Sequence, residues 1–285
     1  MIKNRTVSLG ILSWKSHITL RKTLETYKRN DLFSLFDQNV IYFNEISDDD
    51  IKIANEFGLE YRGTSKNLGI LGGTEELAKN MRSEYLLLLQ NDCVLVDGED
   101  IRGQLERGID MLSSEKVDIM RLRHRFFVGE GFSDVSNYLR YYPIRKIDEN
   151  CVKERYSITD KDFKYSFKKV LRGIFRPYKK KRMIGRSVYV EKDPDQLFPK
   201  YIKKEDDVFI VDSAVINYTD QSPLIKKDFL LNVLFKYCHE HPKKTRTING
   251  MQVQETILNS RWWRKQHYKI GVCRGLFSHE RFDRP

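Results

Sequence analysis

Asp92 closes the string YLLLLQND, residues 85–92, where an apolar run gives way to polar residues. An acid at that point stands half out of a core. Its oxygens are hard ligands, suited to a divalent cation that bridges two phosphates. The other reading of the same residue is an Asx side chain that caps a turn. Three further polar clusters follow apolar runs in the same way: Ser13-Trp14-Lys15, Asn44-Glu45 and Ser65-Lys66-Asn67. With Asn91-Asp92-Cys93 they supply hydroxyls, amides, amines and carboxylates that could converge on one rim.

Such clusters need strands to carry them. Val7–Ser13, Asn39–Phe43, Leu59–Arg62 and Glu84–Leu89 read as short buried strands. Ile18–Tyr27, Ile51–Phe57 and Gly72–Asn80 read as helices, the second capped by Gly58 and the third preceded by the glycine-rich turn Asn67–Gly73. This alternation predicts an α/β fold with an open, mostly parallel sheet flanked by helices. In such sheets ligands bind beyond the carboxyl ends of the strands, where the four clusters fall. Further on, Asp118–Arg123, Val208–Ile216 and Tyr268–Phe277 read as strands. Pro223–Cys238 and Gln252–Arg264 read as helices, and His279 follows the last strand. No linker divides the chain, so a single domain is expected, comprising an opening half over residues 1–118, a variable middle over 119–210 and a closing half over 211–285.

The 285 residues carry 51 Lys+Arg against 40 Asp+Glu, a net charge of +11, and 40% are hydrophobic. That supports a full core and excludes a disordered chain. Cys93, Cys151, Cys238 and Cys273 are far apart, which argues against a zinc knuckle or a disulfide scaffold and fits a reducing compartment. No leader-like or membrane-length apolar run is visible, so a cytoplasmic protein is expected. The positive charge leaves nucleic acid, an anionic membrane surface or a phosphorylated small molecule as partners. No nucleic-acid motif accompanies it, so no nucleic-acid partner is expected. Nine cations and no acid fall within residues 166–186. Phe167, Val170, Leu171, Ile174 and Phe175 recur there at helical spacing. Two readings follow: a helix lying peripherally on an anionic membrane, or one packed on the sheet with a solvated basic face.

NLGILGGTEELAKNMRSEYLLLLQNDCVLV, residues 67–96, resembles the inverting glycosyltransferases of the GT-A fold, especially the large family 2. Asn67, Gly69, Gly72 and Gly73 match that family's glycine turn, and Asn91-Asp92 the end of its metal motif. Cys93 departs from the second acid common there. VSLGILSWKSH resembles the family's opening strand, which puts Ser13 and Trp14 where the nucleotide is held. IYFNEISDDD resembles its acidic turn, with Glu45 at the acid that accepts from the base, usually uracil. GMQVQETILNSRWWRKQ resembles the helix whose second acid is the catalytic base, which falls on Glu255, with Gln254 in place of the first acid. His279 matches a C-terminal histidine that often joins the metal. The segment 217–230 resembles the loop before the acceptor site, which puts Asp220 and Gln221 on the acceptor side.

The resemblance implies a Rossmann-like GT-A sheet and transfer of a sugar from a nucleotide-sugar, UDP-linked, to a glycan or glycoprotein hydroxyl. It implies Mn2+ or Mg2+ on Asp92 and His279, with Asn91 as a secondary contact. Ser13, Trp14, Glu45, Lys66 and Asn67 would hold the donor, and Glu255 would act as base. An imidazole ligand favours Mn2+. A nucleotidyltransferase of similar fold and a basic nucleic-acid-binding protein are the alternatives. Against the former, Gly10 is the only glycine in the first 57 residues, where a glycine-rich signature is usual. His239 and His241 read as capping or surface residues.

Overall fold

Each apolar run of the first ninety residues is long enough for one buried strand, and each is followed by a segment of 3.6-residue period. They fold accordingly. The computed structural model describes residues 5–129, 134–142, 167–243, 247–248 and 250–283. Cys151, Ser166 and much of the variable middle lie outside these. The opening half runs β1 (Val7–Ser13), α1 (His17–Arg29), β2 (Gln38–Asn44), α2 (Asp48–Glu56), β3 (Glu60–Thr64), α3 (Gly69–Asn80), β4 (Tyr85–Gln90), β5 (Cys93–Leu95), α4 (Ile101–Ser113) and β6 (Ile119–Arg123). Then come α5 (Asp134–Leu139), α6 (Phe167–Phe175), α7 (Pro177–Met183), a 3-10 turn Ile184–Tyr189 and α8 (Pro194–Leu197). The rest is β7 (Ile202–Glu205), β8 (Val208–Asp212), β9 (Pro223–Lys226), α9 (Lys236–Glu240), α10 (Gln254–Leu258), α11 (Arg261–Gln266) and β10 (Lys269–His279).

One mixed sheet crosses the chain in the order β3-β2-β1-β4-β9-β6-β10-β8-β7, with β5 added on β10. β3, β2, β1 and β4 are parallel, and β9 enters antiparallel between β4 and β6. Both faces are covered. In β4, Leu86 and Leu88 pack on one side, while Tyr85, Leu87 and Leu89 pack on the other. That is the two-residue alternation of a strand buried on both faces. Ser47 and Asp50 form a capping box at the start of α2, each side chain taking a backbone N–H of the other. Asp50 is buried by it rather than solvated.

Four expectations need correction. Pro223–Cys238 is not one helix. Its first four residues are β9, because the gap between β4 and β6 can be filled only by a strand, and Leu224 and Ile225 are fully buried in it. A π-helical stretch, Phe229–Phe235, then leads into α9. Gln252–Arg264 is two short helices. They part where the Asn259 side chain accepts from Tyr218 N (2.7 Å) and donates to Tyr218 O (3.0 Å). β10 runs on to include His279 instead of ending before it. Finally, Ile174 and Phe175 of α6 are 64% and 77% exposed, so these apolar residues are not packed on the sheet.

Ile225→Ala removes a fully buried side chain at the strand the sequence did not foretell. A urea unfolding curve should show a loss of about 2–5 kcal/mol. A loss under about 1 kcal/mol would contradict a strand at this place.

Candidate active site

Asp92 owes its surroundings to strand pairing. β5 begins one residue after it and pairs antiparallel with the end of β10, placing His279 opposite Cys93. Glu280 N donates to Asp92 O (2.8 Å), and Tyr27 of α1 donates to Cys93 O (2.5 Å). His279 Nε2 thereby lies 2.9 Å from Asp92 Oδ2, and Arg281 Nε donates to the same oxygen at 2.9 Å. The approach is tight. Gly129 bridges to His279 with φ +72, and a side chain there would collide with the His279 carbonyl. Burial pushes the Asp92 carboxyl up, but the hydrogen bonds and charges of His279 and Arg281 outweigh it and hold it below the usual carboxylate range.

A cleft of about 580 Å³ opens beside Asp92 at the carboxyl ends of β1 and β4. Trp14, Lys15, Asn44, Asn67, Asn91 and Arg281 are among its lining residues. Asn44 is buried and fastens the glycine turn, donating to Gly69 O (3.1 Å) and accepting from Leu68 N (3.3 Å). Asn67 accepts from Gly69 N (2.7 Å). Gly69 has φ +72, and a Cβ there would press on Met251, on the opposite wall, at 2.7 Å. Asp92 Oδ1 is buried without a hydrogen-bond partner. An unsatisfied carboxylate oxygen beside an imidazole is a donor set that fits a divalent cation. Among the described residues no cluster of three or more acids, histidines or cysteines exists. Of the described residues Asp92 and His279 could supply two ligands, leaving other positions for oxygens of a bound molecule or water.

A second cleft, of about 230 Å³, lies across the Val253-Gln254-Glu255 segment. Val253 lines the first cleft and Glu255 the second. Glu255 Oε1 accepts from Asp220 N (3.2 Å), and Gln254 Nε2 donates to Asp220 Oδ2 (3.4 Å). Desolvation, then the Glu255 charge and hydrogen bond, and then Asp92, push the Asp220 carboxyl well above the usual range. Burial beside the Glu255 carboxylate thus favours the protonated form of Asp220. Gln221 accepts from Arg123.

The structure thus brings Trp14, Asn67, Asn91 and Asp92 to one cleft, sets His279 against Asp92, and gives Glu255 and Gln221 to its neighbour. It does not bring Ser13, Glu45 or Lys66 to the lining. Ser13 closes β1 at the cleft end but is 1% exposed, so its hydroxyl is enclosed. Glu45 is tied up at the lip: it accepts from Trp14 Nε1 (3.0 Å) and pairs with Lys15 Nζ (3.2 Å), and these hydrogen bonds hold its carboxyl low. Lys66 is exposed, and its carbonyl accepts from Thr64 Oγ1 (2.8 Å). His239 pairs with Glu75 and His241 stacks on Tyr237, both at the surface. Sequence reasoning placed Lys15 and Asn44 in strand-end clusters without a role of their own, and it missed Arg281. Arg281 is two residues beyond His279, a spacing that could have flagged it.

No protein-family model matches the chain, and no curated protein is similar to it in sequence. Solved structures are similar. S. aureus TarS 1–349 in complex with UDP-GlcNAc aligns over 98% of this chain and 60% of its own, at 8% identity and a TM-score of 0.50. The chain has the GT-A fold. Glucosyl-3-phosphoglycerate synthase from Mycobacterium tuberculosis, with Mn2+, UDP and glucosyl-3-phosphoglycerate, aligns over 41% of this chain and 43% of its own (12% identity, TM-score 0.33). The mannosyltransferase PcManGT from Pyrobaculum calidifontis, with GDP-Man and Mn2+, aligns over 42% and 36% (10% identity, TM-score 0.34). The chain spans less than two thirds of the length of these proteins.

The raised Asp220 carboxyl has a consequence for stability. The folded state binds a proton that the unfolded state releases above the ordinary Asp range. Stability is therefore fullest below that range and falls as pH rises toward the folded value, by up to about 1.4 kcal/mol per unit. Asp220→Asn should flatten this slope and be the more stable protein at pH 8. Urea melts at pH 5 and pH 8 check it; parallel slopes for both proteins would contradict the raised carboxyl.

Proposed function

We propose that the chain is a metal-dependent inverting glycosyltransferase that moves a sugar from a UDP-linked nucleotide-sugar to a glycan hydroxyl. The observation that carries this is the Asp92–His279 pair, with its unpartnered carboxylate oxygen, at a strand-end cleft of a GT-A sheet. The UDP-GlcNAc bound by the whole-length structural neighbour supports a UDP donor.

Asp92 and His279 would hold the cation, Mn2+ in preference to Mg2+ because one ligand is an imidazole. Bound there, it supplies positive charge to the diphosphate as the leaving group gains negative charge. Arg281 adds a fixed cation at the same carboxylate. Trp14 offers an aromatic face at the lip for the base, with Glu45 and Lys15 fixing its ring. Asn67 and Asn91 supply amide donors and acceptors to the ribose and phosphates. Glu255 takes the acceptor proton as the hydroxyl oxygen attacks the anomeric carbon. The bond from that carbon to the phosphate oxygen breaks on the opposite side, so configuration inverts and nucleoside diphosphate leaves. Burial and Glu255 push the Asp220 carboxyl upward, toward its protonated form, and Glu255 is the residue that lines the cleft.

Thermal melts with UDP and Mn2+, joined to assays of UDP-sugar hydrolysis or transfer, test this. Asp92→Ala should lose the Mn2+-dependent rise in Tm. Glu255→Gln should keep that rise and lose about 10²–10⁴ in rate. Full activity in both variants would defeat the reading.

A peripheral contact with an anionic membrane through residues 166–186 is favoured by one observation. Phe167, Ile174, Phe175 and Tyr178 are 64–85% exposed beside Arg172, Arg176 and Lys179–Lys181. Apolar side chains ringed by cations suit the headgroup boundary. No described helix is long and apolar enough to cross a membrane. The protein should float with vesicles containing anionic lipid and not with neutral ones, and Phe175→Glu should weaken flotation. A chain that stays in the dense fraction with anionic vesicles removes this contact.

A further inference from the structure

Four arginines and a single acid are among the described residues that line the second cleft. Arg121 and Arg123 are two apart on β6 and so share a face. α7 brings Arg182, and the 3-10 turn after it brings Arg186. All four arginines line the cleft, and Glu255 is the only acid among its described lining residues. Arg121 is 6% exposed and donates to the Asn217 carbonyl; among the described residues no carboxylate pairs with it. Arg182 is half-buried, and its Nε has no hydrogen-bond partner. Arg264 stands behind them, donating to Ala214 O (3.3 Å) and Asn217 Oδ1 (2.6 Å), again with no carboxylate.

Burial and then the Arg186 charge lower the Arg182 guanidinium, and burial, Arg182 and Arg186 bring Arg264 down to about 10. These groups repel one another, yet at neutral pH they stay charged. Crowded, partly desolvated cations of this kind need an anion.

We propose that the second cleft binds the phosphate group of the acceptor, so that the acceptor is a phosphate ester. The proposal rests on the glycosyltransferase reading above. A phosphate monoester carries nearly two negative charges and accepts the forked N–H pairs of arginine, whereas a carboxylate carries one. The donor's diphosphate would have Arg281, and the cation that Asp92 and His279 would hold, in the other cleft. A phosphate held by Arg182 and Arg121 leaves a hydroxyl on the same molecule within the cleft that Glu255 lines.

Calorimetry with glycerol 3-phosphate and with phosphatidic acid in detergent micelles tests this, with glycerol and neutral micelles as controls. The full chain should bind at least one phosphate probe and neither control. Arg182→Gln should weaken that binding tenfold or more, and Arg182→Lys, which keeps the charge, by less. The Tm rise with UDP and Mn2+ should be unchanged in both variants, which also shows them folded. Binding confined to the micelles assigns a lipid phosphate, and binding confined to glycerol 3-phosphate a soluble one; both uphold the phosphate. No binding of either probe overturns the proposal, as does undiminished binding by Arg182→Gln. Loss of the UDP response in Arg182→Gln, with phosphate binding retained, gives the arginines to the donor and also overturns it. If the full chain shows no UDP response at all, the glycosyltransferase reading fails while the phosphate measurement stands separately.

Discussion

The antiparallel pairing of β5 with the end of β10 is the constraint on which the site depends. Three residues of ladder bring His279 and Arg281 onto Asp92, 189 residues away in the chain in the case of Arg281. Nothing local holds that carboxylate in place. Its burial is tolerable because two cationic or imidazole nitrogens meet one oxygen, and its other oxygen is left free beside the cleft. The long β10 can serve both β6 and β5 because its register shifts between Val272 and Phe277, at Gly275 with φ +91. A glycine in a strand interior is thus what lets one strand close the sheet and complete the cleft.

The two clefts differ in charge, and the Val253-Gln254-Glu255 segment runs between them. Asp92 and Asp283 face Lys15 and Arg281 in the first, whereas four arginines and Glu255 line the second. Glu255 and, more weakly, Asp92 raise the Asp220 carboxyl, which eases the repulsion among these acids. Gln254 donates to Asp220 instead of adding a further charge.

In the parallel half of the sheet β1, β2 and β4 were legible because each has a short apolar run ending in polar residues, whereas β3, Glu60–Thr64, is a largely exposed edge strand. Val7–Ser13 has the bounds expected of it. β9 was not legible. Four residues, Pro223–Lys226, carry no period of their own, and the leucines after them extend a helical pattern backwards. Only the gap between β4 and β6, a tertiary fact, makes them a strand. Within the site, Asp92, Asn67 and Trp14 could be placed because each follows a strand that sequence reveals. Glu45 and Ser13 follow or end strands too, but facing is decided by single residues: Glu45 has a positive φ and is held by Trp14 and Lys15, and the Ser13 side chain is buried. The arginine-lined cleft draws on β6 and α7, elements about sixty residues apart: the cations of residues 166–186 were visible in the sequence, but nothing there joins Arg182 and Arg186 to Arg121 and Arg123.

That β10 must dock last has a meaning for synthesis. Asp92 leaves the ribosome well before His279 and Arg281 exist. During that interval β1 to β4 can pair locally, but the acid at their edge has no partners and the strand that covers it is unmade. The Asp92–His279 contact therefore forms only once β10 is in place. A chain whose β10 is absent or misregistered would keep most of its parallel core, yet lack His279 beside Asp92.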